Sequence, residues 1–420
     1  MKVLMLAAEC NPQWHSLPAL IYEYYCALNK LVDITLVTHI RNKEHLQPCL
    51  PKNACVTYID TEVISKPLHK LSMALSGEEN KSMTLQVAMG YPGYIYFEHL
   101  VWKKFGKAIR SGEYSLVHRA SPMSPTLPSY IAKRLPVPFV IGPILGGLPW
   151  PKAFRREMLR EGEWMNFFRW LHRWMPYYRS TYKKASAVLA AYEHTISDLP
   201  CADAEKIIDF SEGGIHKSDY PVRRFVENET KKVLFVGRLV PFKQPEVLIQ
   251  AFAESDLLQK HQLIIVGDGP DAERLKSLVK GLNMEHCIKL TGRIPHQEVV
   301  SLMYESDIFA FPSIREQGGG VLTMASMASM PSVVVEYGGP SFRVPDSCGM
   351  RVPMGEQENL VEGFIKSLEY LILNPDEIKR RGIKAREFAE GHYRWSYKAE
   401  KTAEIYDWVL GNRSEKPLCR

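Results

Sequence analysis

The sequence predicts an α/β protein of two domains, each a parallel sheet covered by helices, and three observations carry that prediction. Short apolar or β-branched runs alternate with helical segments along the chain, its 420 residues suit two or three domains, and a Gly- and Pro-bearing stretch at 212–221 interrupts the alternation midway. With 45% hydrophobic and 24% charged residues, the composition is that of a soluble globular chain able to bury a core in each half.

In the first half, 3–8, 33–38, 116–118, 138–141 and 187–191 read as strands, and 19–30 and 125–133 as helices. Gly213, Gly214 and Pro221 then mark the candidate hinge. The strand-helix rhythm resumes at Lys232, with strands near 233–236, 263–266, 288–291, 308–311 and 333–335. No short-period repeat is present, which excludes a solenoid. At the end Ser396 can cap a helix in which Ala399, Thr402, Ala403, Tyr406 and Leu410 recur at helical spacing.

A formal net charge of +6 is modest for this length and does not point to nucleic acid. Eight cysteines at 10, 26, 49, 55, 201, 287, 348 and 419 form no CxxC pair and no metal-ligand spacing, which fits free thiols in a reducing cytosol. The opening MKVLMLAAEC is too short in its apolar run for a signal peptide and reads as a first strand, and no stretch reaches the ~18 apolar residues of a membrane span. The expected localisation is cytoplasmic, with peripheral attachment to a membrane left open by 152–184. That stretch holds nine Lys or Arg against three Glu and an apolar set of Trp164, Phe167, Phe168, Leu171, Trp174 and Met175. Such a pattern fits a helix lying on an anionic membrane or meeting a lipid-linked acceptor, and equally a core-packed helix whose arginines snorkel outward.

Four segments of the second half, VLFVGRLVPFKQ, LIIVGDGP, IKLTGRIP and FAFPSIREQGGGVLTMASMA, each end a strand-like run. In a parallel sheet they converge on the carboxyl ends of the strands, where open α/β sheets bind ligands. Together with AECNPQWHSLP, HRASPMSPT and GPILGGLPWP in the first half, they resemble the retaining glycosyltransferases of the GT-B fold, specifically family 4 (glycosyl transferases group 1). The resemblance implies two Rossmann-like domains facing each other across a cleft: 1–221 on the acceptor side, 222–395 binding the nucleotide sugar, and 396–412 as a helix returning to the first domain.

Cleavage of a nucleotide diphospho-sugar leaves negative charge on the departing diphosphate. Arg238 and Lys243 match the GRLxxxK pattern of the family, and the resemblance implies that they hold the pyrophosphate, Arg as a planar fork and Lys as a point charge. Gly318, Gly319 and Gly320 precede a helix expected over 321–330. Backbone amides there, Val321 included, favour a phosphate. Glu316 matches the first carboxylate of the family's E-x7-E signature, which would reach donor-sugar hydroxyls. The position of the second carboxylate, which in the family accepts ribose hydroxyls, is Met324.

His118, followed by Arg119, resembles the family's HRxTP segment, where a histidine meets the donor sugar or reacting centre. Arg293 and Ile294, in the TGRIP loop, are implied to stack on and bond the base. Gly146 and Gly147 would let backbone approach a ligand, and the loop 10–16 matches the first strand-helix loop of a branch lacking the usual paired glycines. Asp268 is read as fixing its own turn.

No DxD tripeptide occurs, so no metal is expected; the arginine, the lysine and helix dipoles would take its place. The implied function is a retaining, metal-independent glycosyltransferase. Its co-substrate is a nucleotide diphospho-sugar of UDP or GDP type, no further cofactor is expected, and its acceptor is a small molecule, a glycan or a lipid-linked group. Two alternatives stay open: a divergent relative with a non-standard donor or acceptor, and a non-catalytic binding subunit of the same fold.

Overall fold

The computed structural model describes residues 1–14, 16–76, 83–163, 171–200 and 203–419. The chain divides into two compact units, Met1–Gly147 with Gly162–Gly214 and Trp395–Arg420, and Leu148–Glu161 with Ile215–Arg394. Each is built on one parallel sheet.

In the first unit, β1 (Lys2–Ala7), β2 (Asp33–His39), β3 (Cys55–Ile59), β4 (Leu116–Ser121), β5 (Phe139–Ile144), β6 (Ala187–Ala190) and β7 (Ile207–Ile208) lie in the order β3-β2-β1-β4-β5-β6-β7. Leu4 aligns with Thr35 on one side and Val117 on the other. Strand periodicity assigns β1 to two cores: Val3, Met5 and Ala7 pack into one apolar cluster, Leu4 and Leu6 into another. Burial on both faces explains why the central strands are apolar throughout rather than alternating.

The second sheet comprises β8 (Lys232–Val236), β9 (Gln262–Val266), β10 (Ile288–Gly292), β11 (Ile308–Phe311), β12 (Ser332–Val335) and β13 (Gly349–Val352), in the order β10-β9-β8-β11-β12-β13. Phe235, Phe309 and Phe311 stack with ring centroids 5.9 Å apart in its core. The strand order reverses between β8 and β11, so the loops after these two strands flank the switch point.

The closing helix, Trp395–Val409, belongs to the first unit. It lies on the helix Leu17–Leu28, where the Tyr24 hydroxyl donates to Thr402 at 2.7 Å, and the buried Lys398 ammonium donates to the Ser211 carbonyl at 3.0 Å. Ser396 lies inside this helix rather than capping it.

Three further expectations change. Residues 125–133 form no α-helix: Pro128 removes a backbone donor, Ser129 N–H bonds Thr181 Oγ1 at 2.7 Å, and Ile131 N–H bonds the buried Glu98 carboxylate at 3.0 Å. The strands β3, β7 and β13 and the helices Glu62–Ser76 and Met83–Arg110 join the elements named from sequence. Finally, the described part of 152–184 is not one helix. Arg155–Arg160 is a helix of the second unit and Tyr178–Lys184 one of the first, with Gly162 and Tyr177 in left-handed conformations and Pro176 between. Trp164, Phe167 and Phe168 lie outside the described residues.

Among the described residues no helix is long and apolar enough to cross a membrane. Cys10, Cys26, Cys49, Cys55, Cys287, Cys348 and Cys419 are free thiols, and Cys201 lies outside the described residues.

Candidate functional site

The loop after β8 turns sharply because Gly237 N–H bonds the Val266 carbonyl at 3.0 Å and Leu239 N–H the Asp268 carbonyl at 2.9 Å, tying it to the loop after β9. Asp268 spends its carboxylate on Gly269 N–H at 2.8 Å, consistent with a turn-fixing role. Arg238 projects from this loop exposed, with no side-chain partner among the described residues. One 3-10 turn, Pro241–Lys243, then aims Lys243 at the loop after β11.

That loop supplies the counterion. The Lys243 ammonium is ion-paired with Glu316 Oε2, both side chains being more than four-fifths buried, and it stands 4.6 Å from the Phe311 ring centroid. Glu316 Oε1 accepts Gly319 N–H at 3.2 Å, and the Glu316 carbonyl accepts Gly339 N–H at 2.8 Å. Ile314 N–H bonds the Phe242 carbonyl at 2.9 Å, which fixes the two loops to each other.

The helix after the glycines runs Gly320–Met327, shorter than expected at its carboxyl end. Gly319 caps it at φ +73°, a conformation that strains any residue with a Cβ, while Gly320 is exposed. Arginines hold both ends, Arg343 and Arg386 buried and Arg223 half-buried. Arg343 Nε donates to the Gly318 carbonyl and Nη1 to Thr323 Oγ1 at 2.9 Å; Arg386 donates to the Met327 carbonyl at 2.7 Å and Arg223 to the Ala328 carbonyl at 3.3 Å. The cations at the last turn satisfy carbonyls that a helix leaves open and complement its dipole, leaving the opposite, positive end at Gly319–Gly320. Sequence reasoning missed these three arginines, because scattered single arginines carry no periodic signal.

Among the site residues expected from sequence, Lys243, Glu316, Gly318, Gly319 and Gly320 are thus brought together at the switch point, with Arg238 on the same loop as Lys243. Val321 follows in the first turn, half-buried. Met324, one turn on, is half-buried and packs against the main core of the unit and against the small cluster of Ile215, Tyr220, Met327, Ala389 and Tyr393. Arg293 is exposed and Ile294 half-buried after β10, the edge strand of the sheet.

The first-unit candidates behave differently. His118 is fully buried in β4, and Gly142 O can only accept, so Nε2–H donates to it at 2.6 Å. Nδ1 of the neutral ring therefore accepts the Tyr406 hydroxyl at 2.5 Å. Burial, partly offset by the Gly142 bond, lowers the His118 pKa from its usual value to about 4. Both ring nitrogens are engaged inside the unit. Arg119 is buried beside it and donates to the Leu127 carbonyl at 2.7 Å.

At Gly146 an added Cβ would lie 2.6 Å from Pro125 Cδ, and at Gly147 2.9 Å from the His194 carbonyl, so these glycines admit neighbouring chain. In the loop 10–16, Asn11 is buried and bonds Pro18 O, Gln13 N–H and His45; His15 lies outside the described residues.

Comparison with known proteins converges on the same unit. Residues 218–387 match the family of glycosyl transferases group 1. A D-inositol 3-phosphate glycosyltransferase of Corynebacterium diphtheriae is 31% identical over 191 residues, 42% of this chain and 42% of that one, and the chain spans similarly partial shares of its other curated relatives. Over the whole chain the likeness is one of fold. Sucrose-phosphate synthase from Thermosynechococcus elongatus superimposes with a TM-score of 0.65 at 15% identity, covering 98% of this chain and 100% of that one. Anabaena HepE, solved with UDP, does so with a TM-score of 0.64 at 17% identity, covering 96% and 99%. The fold is the two-domain α/β architecture of GT-B glycosyltransferases.

Proposed function

We propose that the chain is a retaining, metal-independent glycosyltransferase of family 4 that takes a sugar from a nucleotide diphospho-sugar, of UDP or GDP type, and passes it to a small-molecule, glycan or lipid-linked acceptor. The observation that carries this reading is the Lys243–Glu316–Gly319 constellation at the β8/β11 switch point: a lysine, a carboxylate and a helix amino terminus where a parallel sheet takes its ligand. The match over 218–387 and the fold shared with the UDP-bound Anabaena protein support it.

In this reading Arg238, Lys243 and the Gly319–Val321 amides take the diphosphate, and Arg293 and Ile294 take the base. As the anomeric C–O bond breaks, its electron pair stays on the diphosphate oxygen, where those cations stabilise it. The acceptor hydroxyl bonds the anomeric carbon from the same face and yields its proton to that departing oxygen. Glu316 orients the sugar hydroxyls. His118, bonded to Gly142 and Tyr406, would have to release one of these partners to meet the donor sugar or the reacting centre.

Met324 favours a second reading, in which the ribose anchor is lost because the donor is unusual or because the chain binds without turnover. Titration with UDP, GDP, ADP and TDP, followed by incubation with the matching nucleotide sugars, separates the two. Binding with product formation supports the enzyme, binding without turnover the subunit, and no binding at all rejects both.

The chain is further proposed to be cytoplasmic and to touch anionic membrane peripherally through 152–184, of which 171–184 shows the exposed groups. There Trp174 is 81% exposed and Leu171 48%, beside exposed Arg173, Arg179, Lys183 and Lys184.

A further inference from the structure

The strap Leu148–Glu161 leaves the run of the first unit and packs as part of the second. It touches loops at the carboxyl ends of four strands. The Leu148 carbonyl accepts Arg315 Nε at 3.4 Å, the Pro149 carbonyl accepts the Tyr337 hydroxyl at 3.0 Å, and Arg160 pairs with Asp271 at 2.7 Å. Phe154 and Met158 sink into the core of the unit.

Trp150 is the centre of this strap. Its ring meets Phe242 edge-on at 86° with centroids 6.4 Å apart, and the Arg315 guanidinium lies over it at 5.0 Å. Phe242 is the neighbour of Lys243, and Arg315 is the neighbour of Glu316. One indole therefore contacts both loops whose next residues form the ion pair at the switch point. The residue is nine-tenths buried and its Nε1–H has no partner among the described residues, so what it contributes here is ring surface, at the cost of an unpaired donor.

We infer that Trp150 is a positioning residue of the candidate donor site, setting the distance between Lys243 and Glu316 from a segment that the first half of the sequence contributes. Its consequence for ligand rests on the nucleotide-sugar reading above; its structural part does not. A rigid ring in contact with both loops restricts their movement relative to each other, and the cation and carboxylate then meet a ligand at one fixed spacing. A merely structural core tryptophan would, when removed, loosen the unit evenly.

Hydrogen exchange read by mass spectrometry on the full chain tests this. In Trp150→Ala, segments covering 238–244 and 313–319 should exchange at least about tenfold faster while the helix Pro375–His392 is unchanged, and Trp150→Phe, which keeps the ring, should match wild type. UDP and GDP affinity measured by calorimetry should fall at least about tenfold in Trp150→Ala and stay within about threefold in Trp150→Phe.

Unchanged exchange in Trp150→Ala, acceleration spread evenly over the unit, or a Trp150→Phe variant as impaired as Trp150→Ala would each overturn the assignment. Nucleotide affinity unaltered by Trp150→Ala would do so too. A wild-type chain that binds neither nucleotide sinks the donor-site reading instead, and the exchange data then decide Trp150 alone.

Discussion

The Lys243 ammonium is ion-paired with Glu316, and the second oxygen of that carboxylate accepts the Gly319 amide at 3.2 Å. The carboxylate thus engages both a cation and a helix-terminal amide that, in the proposed function, a diphosphate would use. An incoming diphosphate must displace or share it. Replacing Glu316 with Gln removes the competing charge and keeps the shape. Affinity for a free nucleoside diphosphate should rise by about 1 kcal/mol, while sugar transfer falls by about 1.5–3 kcal/mol because the sugar hydroxyls lose their charged acceptor. Calorimetry and initial rates on the same preparation check the two halves; equal or weaker diphosphate binding in a folded variant rejects the competition.

Arg238 has no side-chain partner among the described residues and is exposed on the loop after β8. Its removal should therefore leave the fold intact and act on ligand alone. Arg238→Ala is expected to keep the wild-type melting temperature within a degree or two, roughly, and to lose about 2–4 kcal/mol of transition-state stabilisation in kcat/KM. A folded variant with wild-type kcat/KM removes Arg238 from the diphosphate clamp.

Three of the four loops were legible from sequence because they follow the mostly buried strands β8, β9 and β11, whose continuous apolar runs stand out, and all four, the one after the edge strand β10 included, carry glycine or proline at the turn. The strand β3, CVTYI, escaped notice because it is an edge strand with exposed and half-buried residues, and β7 is only two residues long. The helices Glu62–Ser76 and Met83–Arg110 carry Pro67 and Pro92 in their interiors, where the missing backbone donor weakens the helical signal. What sequence does not carry is partnership across long separations. Lys243 and Glu316 are 73 positions apart and His118 and Tyr406 are 288 apart, and the second of these contacts engages in the core a residue that the sequence resemblance assigns to the ligand.

That core pair predicts a pH dependence. The folded His118 pKa of about 4 lies below its ordinary unfolded value near 6.5, so the folded state holds fewer protons between these limits. The stabilisation is therefore full above pH 6.5 and is lost as pH falls toward 4, with a slope approaching about 1.4 kcal/mol per pH unit. His39, lowered mainly by burial, adds to the same trend. Urea unfolding of wild type and His118→Gln between pH 4.5 and 7.5 isolates the His118 share. Parallel curves for the two proteins would refute the buried neutral ring.

The exposed Trp174 and Leu171, with the nearby arginines and lysines, should carry the chain into pellets of anionic vesicles at low salt, and much less at high salt or with neutral vesicles. Trp174→Ala should weaken this partition by about 1–2 kcal/mol through lost apolar contact. Sedimentation with no difference between the lipids, or no effect of Trp174→Ala, leaves the segment as ordinary surface.

Met324 stands on the second turn of the helix Gly320–Met327, at the position the proposed family 4 reading would give to a ribose-binding carboxylate. Its side chain is half-buried and packs against the main core and the small cluster that includes Tyr220 and Met327, so the position is partly open and partly apolar. If the nucleotide lies along this helix, Met324→Glu offers two ribose hydroxyls a charged acceptor and should tighten nucleoside diphosphate binding by about 1–3 kcal/mol. The same change takes a carboxylate out of water on its buried side, and the unliganded variant should lose about 1–2 kcal/mol of stability. The two effects oppose each other and are separable: nucleotide should raise the melting temperature of Met324→Glu by more than it raises that of wild type. Calorimetry with the best-binding nucleotide decides the assignment, since unchanged or weaker affinity in a folded Met324→Glu protein means that the helix carries no ribose site to restore.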